Sequence, residues 1–132
     1  MTTPFMQAVD ARSAEAISAG ALLPVEAEEV TLESGGLAFI VRHVKALAKK
    51  QELPGGPRDP NFNPFLPPDP ALTVGPVGDQ HVAILNKYPV CERHLVLART
   101  EFAEQTTPLE LEDFRALAHL LSASGGLGFH NG

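Results

Sequence analysis

The side chains of this sequence able to bind a metal, attack an electrophile or cradle a phosphate are few, and their spacing excludes the familiar arrangements. His43, His81, His94, His119 and His130 form no i,i+4 pair, no HExxH and have no companion thiols, whereas a zinc site needs several ligands at defined spacing. No metal or other cofactor is expected. Cys91 is the single cysteine; the adjacent Glu92 opposes the thiolate that a nucleophile requires, although Arg93 acts the other way. Neither GxGxxG nor GxxxxGK[ST] occurs, and the pairs Gly35-Gly36 and Gly55-Gly56 read as turn formers. What remains is Asn86 at the end of one strand-like run and His94 at the start of the next, brought close by a connection that Pro89 turns.

The elements that must position them follow from periodicity. His81-Val82-Ala83-Ile84-Leu85-Asn86 and His94-Leu95-Val96-Leu97-Ala98-Arg99 are short and apolar, which predicts two antiparallel neighbouring strands. Leu37 to Val41 predicts a further, buried strand. Thr107 as N-cap, Pro108 at the first helical position and Glu110 closing a capping box predict a helix whose apolar stripe is Leu111, Phe114, Leu117, Ala118 and Leu121, stopping at Gly125-Gly126. Thr3 to Ala21, with Met6, Val9 and Ile17 apolar, predicts a helix ending near Gly20. Residues 54–78 hold eight prolines and four glycines and predict a long loop; its Pro-Phe-Leu-Pro-Pro-Asp-Pro run is too apolar for an exposed polyproline ligand and is expected to pack on its own domain.

These elements predict an α+β fold, an antiparallel sheet with a helix packed across it. The expected organisation is an N-terminal helical arm over residues 1–35 and a domain portion over residues 36–132. The final segment, Leu127 to Gly132, reads as the beginning of another strand or of a phosphate-approaching loop, so the sheet is expected to be incomplete.

With 132 residues, 44% hydrophobic and 20% charged, the chain is sized for one domain. A net charge of −6 with ten basic residues argues against a nucleic-acid partner. No run approaches the roughly 18 apolar residues of a membrane span, and no export signal is visible. With a single thiol, a reducing, cytoplasmic location is expected.

Ordered along the chain, Gly36-Leu37-Ala38-Phe39, the NPFLPPDP run from Asn63 to Pro70, HVAILNKYPVCERHLVLA from His81 and the terminal GLGFHNG resemble the N-terminal half of the ATP adenylyltransferases, or diadenosine tetraphosphate (Ap4A) phosphorylases, a branch of the histidine triad superfamily. The resemblance implies a HIT-like fold. It implies phosphorolysis of Ap4A to ATP and ADP through a nucleotidyl-histidine. It places Asn86 at a ribose hydroxyl, His94 in a supporting catalytic role near the α-phosphate, and Asn131 near the phosphate-bearing loop. Lys50, Lys87 and Asn63 are implied polyphosphate contacts. The nucleophile in that family lies in a Gln-Pro-His-x-His-type segment, and no HxH occurs in this sequence. The expected ligands are adenine nucleotides or dinucleoside polyphosphates; the isolated chain is expected to be inactive, and a C-terminal half carrying the HxH segment is the partner that would complete it. The alternatives are a non-catalytic nucleotide-binding or interaction module, or an inactive fragment.

Overall fold

A computed structural model describes residues 2–44 and 65–130. Helix α1 spans Pro4–Ser18, strands β1 and β2 span Ala27–Ser34 and Leu37–Val44, β3, β4 and β5 span Thr73–Val77, His81–Leu85 and Leu95–Arg99, and helix α2 spans Leu111–Ser124. The strands form two antiparallel sheets, the hairpin β1-β2 and the three-stranded β3-β4-β5. This is the expected α+β class, and β4 and β5 are the antiparallel neighbours that their sequences predict.

All five residues of β4 are buried because both its faces are covered. Alternate strand residues point opposite ways: Val82 and Ile84 enter a core with Met6, Val9 and Ala16 of α1 and Leu22 beyond it, while Ala83 meets Ala116 and Leu120 of α2. Helix α1, within the arm expected over residues 1–35, is therefore a wall of the core. Thr3 fixes its start: the Thr3 hydroxyl accepts from the Met6 N–H and donates to the Ala123 carbonyl at the end of α2.

Three expectations are corrected. The proline-rich stretch of residues 54–78 is not all loop, since Thr73–Val77 is a strand; it lies at a sheet edge, where Pro76 can be tolerated. Leu37–Val44 is a strand but not a buried one: it folds back on β1, which lies within the arm expected over residues 1–35, through Gly35 and Gly36, both at positive φ. Every residue of this hairpin except Ala27 and Val44 is exposed, including Val30, Leu32, Leu37, Phe39 and Val41, which share one face by register. Helix α2 begins at Leu111 with Glu110 as N-cap, three residues later than Thr107 and Pro108 indicated.

The face that α2 buries is also rotated from the predicted stripe. Leu111 and Phe114 are 63% and 55% exposed, while Ala116 and Leu120 are buried. The cause is Asp113, three and seven residues before them and hence on the same face. His81 and Arg99 are register partners across β4 and β5, and both converge on this carboxylate. His81 Nε2 donates to Asp113 Oδ1 at 2.7 Å and Arg99 Nε to the same oxygen at 2.8 Å, Arg99 Nη2 reaches Oδ2, and the Glu110 N–H donates to Oδ2 at 2.7 Å. A carboxylate so placed draws its own face of the helix onto the sheet.

Gly125 ends α2 at φ 66°, and its N–H donates to the Leu121 carbonyl. Gly125→Ala is expected to cost about 1 kcal/mol, because a Cβ disfavours the left-handed region; an unchanged chemical-denaturation midpoint would contradict this cap.

Candidate functional site

Asn86 and His94 sit at the end of the sheet where β4 hands over to β5. The ladder continues one step past β4, with the Asn86 N–H donating to the His94 carbonyl at 2.9 Å, so the two side chains leave adjacent backbones. Asn86 Oδ1 accepts the Tyr88 N–H at 3.1 Å, an Asx-type turn that starts the connection. This fixes the amide so that Nδ2 faces His94 Nε2 at 3.4 Å. On the other side of the ring, the Val90 N–H faces His94 Nδ1 at 3.4 Å.

Both neighbours of the imidazole are donors. A neutral ring has one lone pair and one N–H, so it can accept from only one of them, and a protonated ring from neither. With the proton on Nε2 the Val90 bond to Nδ1 is made and Nε2–H is left facing Asn86; with the proton on Nδ1 the Asn86 amide donates to Nε2 instead. In the first of these tautomers Nε2–H stands beside the Asn86 amide N–H, because Asn86 turns its oxygen away from the ring and toward the Tyr88 N–H. Two side-by-side donors suit an oxygen-rich ligand such as a ribose or a phosphate.

Electrostatics act in the same direction. Burial pushes the His94 pKa below its usual value of 6.5, and the positive charge of Arg42 in β2 pushes it further. Because the folded state prefers the neutral ring, His94's contribution to stability is complete above the ordinary imidazole pKa and is lost as the pH falls from there through the lowered value. In an NMR titration the His94 ring is expected to have its midpoint below 6.5; a midpoint above it would contradict this environment.

Lys87 follows Asn86 directly, is exposed, and carries its Nζ 5.6 Å from the centroid of the Tyr88 ring. Asn86, Lys87 and His94 are thus brought together, while Lys50, Asn63 and Asn131 lie outside the described residues. Sequence reasoning missed the residues that support the connection: Leu23 donates to the Lys87 carbonyl at 2.8 Å, Val25 to the Pro89 carbonyl at 3.0 Å, and Asp10 on α1 pairs with Arg93. It also missed Arg42, whose only mark in sequence is its place in a strand. Among the described residues no group of three or more His, Cys, Asp or Glu side chains is placed to hold a metal.

A cavity of about 270 Å³, lined by Gln80, His81, Arg115 and His119 among others, lies at the opposite end of β4. It is separated from Asn86 by five residues of strand, about 16 Å.

The family model for the Ap4A phosphorylase N-terminal domain matches residues 2–132. No curated protein matches the chain. Among solved structures, yeast Ap4A phosphorylase Apa2 in complex with AMP is similar at a TM-score of 0.74 and 24% identity, over 95% of this chain and 40% of that one. The same yeast enzyme in complex with Ap4A is similar at a TM-score of 0.71 and 27% identity, over 95% of this chain and 41% of that one. The chain therefore spans about two-fifths of the length of the yeast chains it matches.

Proposed function

The chain belongs to the Ap4A phosphorylase N-terminal domain family, and from that premise we propose that it binds an adenine nucleotide or dinucleoside polyphosphate at the end of β4. The observation that carries this reading is Asn86 Nδ2 and His94 Nε2 side by side at 3.4 Å at the end of β4, a pair of donors when the ring proton is on Nε2. Asn86 takes a ribose hydroxyl, His94 an α-phosphate oxygen, and Lys87 the charge of the polyphosphate. Lys50, Asn63 and Asn131 join the same ligand on the strength of the sequence resemblance alone.

In the full reaction an imidazole nitrogen attacks the α-phosphorus of Ap4A, the phosphoanhydride bond breaks, and ATP leaves. Inorganic phosphate then attacks the nucleotidyl-histidine, releasing ADP and restoring the imidazole. This chain's part is to orient the nucleotide and to present hydrogen-bond donors to the phosphoryl oxygens. The nucleophile is assigned to an HxH segment in a C-terminal half, with which the chain would work in the cytoplasm, in a HIT-like arrangement.

The test is to mix the purified chain with Ap4A and inorganic phosphate, following binding by calorimetry and products by chromatography. Saturable Ap4A binding with no ATP formed is expected. Absence of binding would overturn the site, and ATP formation abolished by His94→Ala would overturn the assignment of the nucleophile elsewhere.

A further inference from the structure

The connection between β4 and β5 turns through one residue in an unusual conformation. Arg93, immediately before His94, has φ 56° and is the non-glycine residue with a left-handed backbone among those described. A residue bearing a Cβ stays in that region only where its surroundings impose it. The surroundings here are specific. Arg93 Nε donates to Asp10 Oδ1 at 2.9 Å and Nη2 to Oδ2 at 2.8 Å, a parallel fork between residues 83 apart in sequence.

Asp10 is well placed to act as an anchor. It follows Val9, which is fully buried in the core, so its backbone is held by the packing of α1. The fork, chiefly through its hydrogen bonds, keeps the Asp10 carboxyl below the usual carboxylate range. On the other limb of the connection, Leu23 and Val25 hold the Lys87 and Pro89 carbonyls. The segment between Asn86 and His94 is thereby tied at both limbs to the first 25 residues of the chain.

An ion pair between two half-exposed side chains ordinarily contributes little to stability. This one differs in its place: along the chain Arg93 lies between Val90, whose N–H meets His94 Nδ1, and His94 itself, at the residue whose left-handed backbone directs the chain into His94. We propose that the Asp10–Arg93 fork is a positioning device for His94, holding the connection so that Val90 faces Nδ1 and Nε2–H is presented beside Asn86. Its consequence for a ligand rests on the nucleotide-binding reading above; its consequence for His94 does not.

The experiment uses the full chain and four variants: Asp10→Asn, Arg93→Gly, Arg93→Lys, and the reversed pair Asp10→Arg with Arg93→Asp. Arg93→Gly removes the guanidinium while easing the left-handed backbone, and the aspartate of the reversed pair also tolerates that region. The readouts are Val90 amide exchange, the His94 ring nitrogen shifts, thermal unfolding and AMP affinity.

Asp10→Asn and Arg93→Gly are expected to speed Val90 exchange on the order of tenfold and to move the ring nitrogens toward a mixture of tautomers, with the unfolding midpoint nearly unchanged. AMP affinity falls about threefold to tenfold, Arg93→Lys lies between, and the reversed pair recovers most of each effect. Unchanged Val90 exchange and His94 shifts in both single variants would overturn the proposal, as would a loss of protection spread evenly over the whole chain. If the wild-type chain binds no AMP, the nucleotide reading fails, while the His94 readouts still decide the role of the fork.

Discussion

His94→Ala is expected to weaken AMP binding on the order of tenfold to a hundredfold, the range given by losing one hydrogen bond to a charged oxygen. Burial and Arg42 both favour the neutral ring, and with its proton on Nε2, beside the Asn86 amide, a phosphate oxygen would meet a donor already oriented and partly shielded from water. Asn86→Asp is the sharper companion. The carboxylate keeps an oxygen for the Tyr88 N–H, and so keeps the turn, but it replaces the amide donor with a negative charge next to the ligand. Its loss of affinity should equal or exceed that of His94→Ala, with little change in thermal unfolding. Calorimetric titration checks both, and wild-type affinity in either variant would remove that residue from the site.

Asp113→Ala is expected to be the most damaging substitution for stability, at about 3 kcal/mol. The carboxylate is the common partner of His81 and Arg99, and the Asp113 and His81 side chains are only 11% and 5% exposed. Its removal leaves a mostly buried imidazole and a guanidinium without their acceptor, and also removes the acceptor of the Glu110 N–H at the start of α2. Hydrogen bonds from Arg99, Glu110 and His81 outweigh burial and hold the Asp113 carboxyl far below the usual carboxylate range. Because the folded pKa lies below the unfolded value of about 3.9, this stabilisation is complete at neutral pH and is lost as the pH falls below about 4. Denaturant midpoints measured from pH 7 downward should therefore fall more steeply in the wild type than in Asp113→Asn. Parallel acid limbs would contradict the role given to this carboxylate.

The same residue explains what the sequence hid. Helical periodicity counts apolar residues, and by that count Leu111 and Phe114 belong inside; Asp113 belongs outside unless its partners are known. Those partners, His81 and Arg99, lie at the far ends of two strands, and only the register that pairs them reveals a polar anchor on the buried face of α2. The late start of the helix follows from this too, since Asp113 serves as the acceptor three residues after the cap, in competition with the signal at Thr107 and Pro108.

Other features were legible for local reasons. Strands β4 and β5 announce themselves as apolar runs, and Pro89 between them requires a turn, which is why the closeness of Asn86 and His94 is legible in the sequence. The hairpin β1-β2 was half legible: Leu37 to Val41 has strand composition, but its partner, rich in glutamate, resembles neither a buried strand nor a periodic helix. Its exposure follows from tertiary placement, which strand composition does not encode. The Asp10–Arg93 fork could not be read at all, because an isolated Asp and an isolated Arg 83 residues apart carry no mark of their pairing.

Whether the end of β4 is a nucleotide site is decided by titrating the ¹⁵N-labelled chain with AMP and mapping the resonances that respond. Saturable shifts are expected at the Asn86 side-chain amide, Tyr88, Val90 and the His94 ring nitrogens, with Gln80 and His119 at the opposite end of the sheet unaffected. Shifts confined to Gln80, Arg115 and His119, or no saturable shift at Asn86 and His94, would contradict a nucleotide site there.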